Sequence, residues 1–95
     1  MAVGEITVIP VGTGADIQKG VRAAVQAIES CGLPRCEVTA VGTNVEGNVD
    51  QILAAAKAAY EACLKSGAPR AILELRVDRR LDKEQTLSDM EASVR

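Results

Sequence analysis

The motif "GLPR" at residues 32–35 is repeated as "GAPR" at residues 67–70, and this repetition indicates that the chain has two similar halves. When the sequence is shifted by 35 residues, 8 of the 24 positions in 12–35 are identical to their counterparts in 47–70. The matches include Ile17 with Ile52 and three alanines of each copy. Each copy joins an apolar helical pattern to a Gly–Pro stop and a strand. We therefore interpret the chain as two βαβ halves related by an approximate twofold.

The first half has the pattern strand, helix, strand. β-branched residues predict a strand over 3–11. Apolar residues recur every three or four positions from Ile17 to Cys31, which predicts an amphipathic helix that ends at Gly32. Residues 35–42 predict the second strand.

The second half repeats this order. A short strand is predicted over 43–47, and Asn48 with Gln51 has the spacing of a capping box that opens a helix. A further strand follows over 70–78, and the same spacing at Thr86 and Asp89 predicts a short C-terminal helix. The apolar face of the second helix is predicted to comprise Val49, Ile52, Leu53, Ala56, Tyr60, Cys63 and Leu64.

Two βαβ halves interleaved in one sheet give an α+β fold, the ferredoxin-like βαββαβ sandwich. We expect a single domain over residues 1–95, with a four-stranded antiparallel sheet and the short C-terminal helix. The two long helices then cover one face of the sheet and leave the other face bare.

Alternation along the strands predicts which side chains reach that bare face. Asn44, Glu46 and Arg76 are expected there, because their neighbours in sequence are the apolar residues that suit a core. Aliphatic residues are also predicted on this face, and together they form an apolar patch larger than a soluble monomer usually exposes to solvent. These are Ile9, Val11, Val41 and Ile72. We expect a second subunit, a ligand or both to cover it.

The composition argues against several classes of function. The chain has no His, one aromatic residue and a net charge of −2, so it lacks the imidazole of many catalytic sites and the basic, aromatic surface of nucleic-acid binders. The three cysteines lack metal-ligand spacing and are expected in the core of a cytoplasmic protein. Lys57 and Glu61 interrupt the Ala-rich segment, which is too short to span a membrane. We expect a soluble protein that is not an enzyme and needs no metal or cofactor.

Three further segments are distinctive: "VIPVGTG" at 8–14, "VGTNVEG" at 41–47 and "RRLDKEQTLSD" at 79–89. In this order and spacing they resemble the small thiamine-binding proteins of ferredoxin-like fold, a family long described as uncharacterised. The resemblance covers essentially the whole chain and implies a homotetramer built as a dimer of dimers that binds thiamine or its hydroxymethylpyrimidine half. Asn44 and Met90 depart from the family pattern, which has an aliphatic residue and a lysine there. The first departure is expected to alter ligand preference, and the second a contact between subunits.

Glu46 is the leading candidate for a ligand contact, since a carboxylate can accept hydrogen bonds from an aminopyrimidine. Thr43 and Asn44 would supply neutral donors and acceptors, with Thr13 and Arg76 completing the predicted ligand-binding set. The alternative for Glu46 is a structural ion pair with Arg76 across the bare face. For Thr13, the alternative to an anion site at the following helix is a tight turn without ligand.

The charged segment 79–86 has three possible roles. Arg80, Asp82, Lys83 and Thr86 keep the family pattern, so we predict an inter-subunit contact there. A plain solvated surface and an anion site are the alternatives. For the whole protein, we expect a non-catalytic carrier or sensor that binds thiamine or its hydroxymethylpyrimidine moiety. The alternative is a structural or regulatory oligomer that uses the bare sheet face for assembly and has no physiological small ligand.

Overall fold

The computed structural model describes all 95 residues, and the elements follow in the predicted order. They are β1 (Ala2–Val11), α1 (Gln18–Ser30), β2 (Arg35–Val38), β3 (Thr43–Gly47), α2 (Val49–Lys65), β4 (Arg70–Asp78) and α3 (Leu87–Ser93). The strands lie in the order β2-β3-β1-β4, and every neighbouring pair is antiparallel. The ferredoxin-like α+β fold is thus confirmed. No helix is long and apolar enough to cross a membrane.

β2 is shorter than the predicted 35–42, because the chain turns after Val38. The amide and the hydroxyl of Thr39 both donate to the Gly42 carbonyl at 2.8 Å, which closes a tight connection to β3. Val41 therefore lies in a turn, with 75% of its surface exposed. The prediction that Val41 belongs to β2 is wrong.

The strand register divides the side chains between two faces of the sheet. Glu5 of β1 lies opposite Asn44 of β3 and Arg76 of β4, so these three share the face away from α1 and α2, here called the outer face. Ile6, on the other side of β1, packs in the core between the sheet and the two long helices. The alternation predicted for β3 and β4 is present in the structure.

The core is aliphatic and rich in alanine, as a chain without Phe or Trp requires. Its largest fully buried side chains are Ile6, Ile28, Val45, Ile52 and Cys63.

The buried face of α2 differs from the predicted one. It consists of Ile52, Ala55, Ala56, Ala59 and Cys63. Leu53 was predicted on this face but is 48% exposed, and Tyr60 is only half-buried. The error arose because hydrophobicity favoured the larger side chains, whereas the close approach of α1 and α2 selects the small ones.

Backbone details account for the signals at the ends of the elements. Both predicted capping boxes form, with Asn48 Oδ1 accepting from the Gln51 amide at 2.8 Å and Thr86 Oγ1 from the Asp89 amide at 3.1 Å. Gly12 has a φ of +90°, and a Cβ there would lie 2.6 Å from Cγ of Pro69. The turn after β1 therefore needs glycine because it packs against the "GAPR" motif.

Two valines near β3 allow a matched test of this packing. Val45→Ala removes two buried methyl groups from a residue with no exposed surface, and should lower the free energy of unfolding by about 2 kcal/mol. Val41→Ala makes the same chemical change at the exposed turn and should alter it by less than about 0.5 kcal/mol. Urea unfolding at low protein concentration measures both, and equal effects would contradict the described core.

Candidate functional site

A groove of about 530 Å³ lies between the outer face of the sheet and α3. Its sheet side carries charged and amide groups among small apolar residues, whereas α3 supplies mostly apolar side chains. The polar lining consists of Glu5, Asn44, Arg76, Asp78 and Glu91, and the apolar lining of Val3, Gly4, Val77, Leu87, Met90 and Val94.

A buried carboxylate anchors the helical wall of this groove. Glu46 is 7% exposed, and its Oε1 accepts a hydrogen bond from the backbone amide of Leu87 at 2.5 Å. That amide belongs to the first turn of α3, where the helix has no internal acceptor for it. Arg35 strengthens the anchor: its Nη1 lies 4.0 Å from Glu46 Oε1 and donates to Ser88 Oγ at 2.7 Å. Glu46 and Arg35 together therefore position α3 over the outer face.

The predicted ion pair between Glu46 and Arg76 is not present. In the strand register, Arg35 of β2 lies opposite Glu46 of β3. Arg76 of β4 instead lies opposite Glu5 of β1. Glu46 is also covered by α3 and does not line the groove. A ligand would reach it only if the first turn of α3 moved, so its predicted ligand contact stays a prediction.

Two other predicted ligand residues, Asn44 and Arg76, do line the groove, on either side of Glu5. Asn44 is half-buried and Arg76 is exposed. No carboxylate of the chain lies within 4.0 Å of the Arg76 guanidinium, so this cation is available to an external group.

The remaining two, Thr43 and Thr13, lie elsewhere. Thr43 is 2% exposed on the inner face and borders an aliphatic groove of about 310 Å³ between α1 and the 39–42 turn. Thr13 is exposed in the loop after β1, beside the C-terminal end of α2. The structure does not gather the five predicted ligand residues into one site, because alternation sends Thr43 and Asn44 to opposite faces.

The positions where the chain departs from the family pattern, Asn44 and Met90, face the same groove from β3 and α3. Sequence reasoning connected Met90 with a subunit contact and missed its place in the groove. Glu5 was also missed, because its position opposite Asn44 follows only from the register.

Segment 79–86 forms contacts within the chain. Arg80 pairs with Asp82 through two hydrogen bonds, and this pairing lowers the pKa of the Asp82 carboxyl. Thr86 caps α3, while Lys83 has no carboxylate within 4.0 Å. The predicted contact of these residues with another subunit stays a prediction.

The prediction that all three cysteines lie in the core is wrong. Cys31 is exposed because it follows the last turn of α1, Cys36 is half-buried and Cys63 is fully buried. Burial raises the pKa of the Cys63 thiol. No three His, Cys, Asp or Glu side chains are arranged to hold a metal ion.

The fold and the groove define a small ferredoxin-like protein with a ligand-sized cleft on its sheet. The family model for thiamine-binding proteins matches residues 4–95. UPF0045 protein MJ1052 of Methanocaldococcus jannaschii is 38% identical over 90% of this chain and 83% of its own length. UPF0045 protein YqgV of Bacillus subtilis is 32% identical over 99% and 94%. The chain therefore belongs to the thiamine-binding protein family.

Solved structures agree with this assignment. The crystal structure of MJ1052 superposes with a TM-score of 0.90 at 34% identity, covering 98% of this chain and 94% of that one. A Thermotoga maritima protein provisionally assigned to thiamine biosynthesis or salvage has a TM-score of 0.79, covering 99% and 98%. At 24% identity, that likeness concerns the fold alone.

Removing the Glu46 carboxylate should release α3 locally. Glu46→Ala leaves the Leu87 amide without its acceptor, and we expect a loss of about 1–3 kcal/mol together with faster amide exchange over 86–93. Glu37→Ala is the matched control, because Glu37 is the other carboxylate bonded to Arg35, at 2.7 Å. Hydrogen-exchange mass spectrometry should show α3 affected only in the first variant. Equal exchange of α3 in both variants would contradict the anchor.

The thiols should react in order of exposure. An alkylating reagent at neutral pH should modify Cys31 first and leave Cys63 intact until the protein unfolds. The raised pKa of Cys63 favours its neutral thiol, so pH must rise further than for an exposed cysteine before thiolate forms. Mass spectrometry of the wild type and of Cys31→Ser follows the sites. Labelling of folded Cys63 at the rate of Cys31 would disagree with the described burial.

Proposed function

We propose that this chain is a non-catalytic, cytoplasmic carrier or sensor that binds thiamine, or its hydroxymethylpyrimidine moiety, in the outer-face groove. Membership of the thiamine-binding family supports the ligand class. The groove supports the location, because it is large enough for a small molecule and combines aliphatic walls with a few polar groups.

Binding in this groove is supported mainly by a row of polar side chains across three adjacent strands, formed by Asn44, Glu5 and Arg76. The Glu5 carboxylate is placed to accept from the exocyclic amine of an aminopyrimidine, and the Asn44 amide can both donate and accept. Three carboxylates and one guanidinium line the groove, an excess of negative charge that suits the cationic thiazolium ring. No aromatic side chain lines it, so aliphatic contacts would have to hold the rings.

A second candidate is a structural or regulatory oligomer, proposed as a homotetramer built from dimers. The aliphatic residues Ile9, Val11 and Ile72 on the outer face favour it, and Ile72 is 40% exposed. Assembly and ligand binding are separable by experiment, because a purely structural oligomer would form without any response to thiamine.

Calorimetric titration of thiamine and of hydroxymethylpyrimidine into the wild-type protein should show saturable binding in the micromolar range. Glu5→Gln should weaken it about tenfold, the scale expected for one charge-assisted hydrogen bond. Glu29→Gln is the control, because it makes the same charge change at an exposed position of α1, on the opposite side of the sheet. The absence of heat and of thermal stabilisation at millimolar ligand would overturn the carrier or sensor. If both variants changed the affinity for thiamine equally, the groove would be excluded as the binding site.

A further inference from the structure

The sheet has a gap beside the second half of β1. β1 continues to Val11, whereas its pairing with β3 ends at Ile6, opposite Thr43. Before Thr43 the chain turns away toward β2, so no strand pairs with residues 7–11 on that side. The aliphatic groove of about 310 Å³ lies in this gap, with α1 along one side and the 39–42 turn at one end.

The walls of this groove are apolar and carry no charge. Side chains of β1, of α1 and of the segment 38–43 line it, and none of them is ionisable. Ile17, Val38 and Val41 belong to this lining and are exposed, and a cluster of exposed apolar residues is typical of a ligand groove or an interaction surface. A charged ligand such as thiamine would lose its hydration here without gaining a counter-charge.

One polar side chain of the groove has no hydrogen-bond partner in the protein. The hydroxyls of Thr7 and Thr39 donate to the carbonyls of Val41 and Gly42, at 3.2 and 2.8 Å. Thr43 is only 2% exposed, yet its hydroxyl makes no such bond, although every fully enclosed polar side-chain atom of the chain has a partner. The Thr43 hydroxyl therefore faces the open space of the groove, where it can donate to or accept from a bound molecule.

The edge of β1 adds backbone groups to the same groove. In an antiparallel sheet, alternate residues of a strand direct their N–H and C=O groups toward the same neighbouring strand. Over residues 7–11 no strand receives these groups on the β3 side, and no backbone hydrogen bond of the turns reaches them. Thr7, Val8 and Ile9 all line the groove. A ligand with one hydrogen-bonding group therefore suits it better than a pure hydrocarbon.

We propose that this groove is a second ligand site, for an uncharged aliphatic molecule whose single alcohol or carbonyl group forms a hydrogen bond with the Thr43 hydroxyl. The volume limits the size of this molecule. An apolar cavity of ~150 Å³ holds one benzene ring, so about 310 Å³ has room for roughly twelve non-hydrogen atoms. The site is independent of thiamine binding in the outer-face groove, because the two grooves share no lining residue.

A titration with 1-octanol tests the site, because this alcohol is uncharged and fits the volume. In methyl-resolved spectra of the wild-type protein, the resonances of Val21, Val25 and Val38 should shift saturably, with a Kd below about 1 mM. Octanoate and octylammonium have the same chain length with a charged head group. They should bind at least about tenfold more weakly, because the groove offers no counter-charge.

Variants separate the head-group contact from the aliphatic walls. Thr43→Val keeps the shape of the side chain and should weaken 1-octanol binding about fivefold, the scale of one neutral hydrogen bond. Its thermal stability should not fall, since the hydroxyl has no partner in the protein. Ser30→Ala is the control, because its exposed hydroxyl bonds the Gln26 carbonyl outside the groove, and it should bind as wild type. Val21→Phe should fill the groove and abolish binding, and circular dichroism establishes that each variant is folded.

Several results would overturn the proposal. They are the absence of saturable shifts up to the solubility limit of 1-octanol, equal affinity for the alcohol and the charged probes, unchanged affinity in Thr43→Val, or shifts confined to the outer-face groove. A fall in the mass of the protein on adding 1-octanol, measured by sedimentation velocity, would show that a second copy of the chain occupies the groove instead. A failure to bind thiamine would refute the carrier or sensor without changing any of these results.

Discussion

The hydrogen bond from the Leu87 amide to the buried Glu46 carboxylate supports the part of the structure where function is proposed. Without α3, the outer face would be an open sheet with scattered charges and aliphatic side chains. With α3 held across it, the same surface becomes a groove between a sheet side that carries most of the polar groups and a mostly apolar helical wall. Arg35 shares the task by contacting both Glu46 and Ser88, so one ion-pair cluster joins β2, β3 and α3. Burying this carboxylate is tolerable because both an amide and a cation meet it.

The strand register determines which residues act together. Each outer-face row crosses several strands, and the row of Glu5, Asn44 and Arg76 combines one residue from each of three segments that are distant in sequence. The same rule separates Thr43 from Asn44, although they are adjacent in the chain. A motif that is continuous in sequence, such as 41–47, therefore contributes to a turn, to the core and to the outer face at once.

The fold was predictable because its signals are local or repetitive. The Gly–Pro stops and the two capping boxes depend on neighbouring residues, and the 35-residue repeat is found by aligning the chain with itself. Both capping boxes and the repeated order of strand, helix and strand are present in the structure. The site was less predictable because it depends on how the strands pair and on contacts between residues that are distant in sequence. The anchoring of Glu46 by Leu87 spans 41 residues of sequence, and nothing local to Glu46 distinguishes Arg35 from Arg76 as its partner. The exposed Leu53 and Cys31 show the same limit, since helix packing and the end of α1 decide their burial.

Amide chemical shifts test the proposed location of ligand binding most directly. In a ¹⁵N-resolved titration with thiamine, we expect the shifted resonances to be those of Glu5, Asn44, Arg76 and Met90, around the outer-face groove. Resonances of Val21, Val25 and Val38, around the aliphatic groove beneath α1, should stay in place. Shifts confined to the second group, or no saturable shifts at millimolar thiamine, would contradict thiamine binding in the outer-face groove.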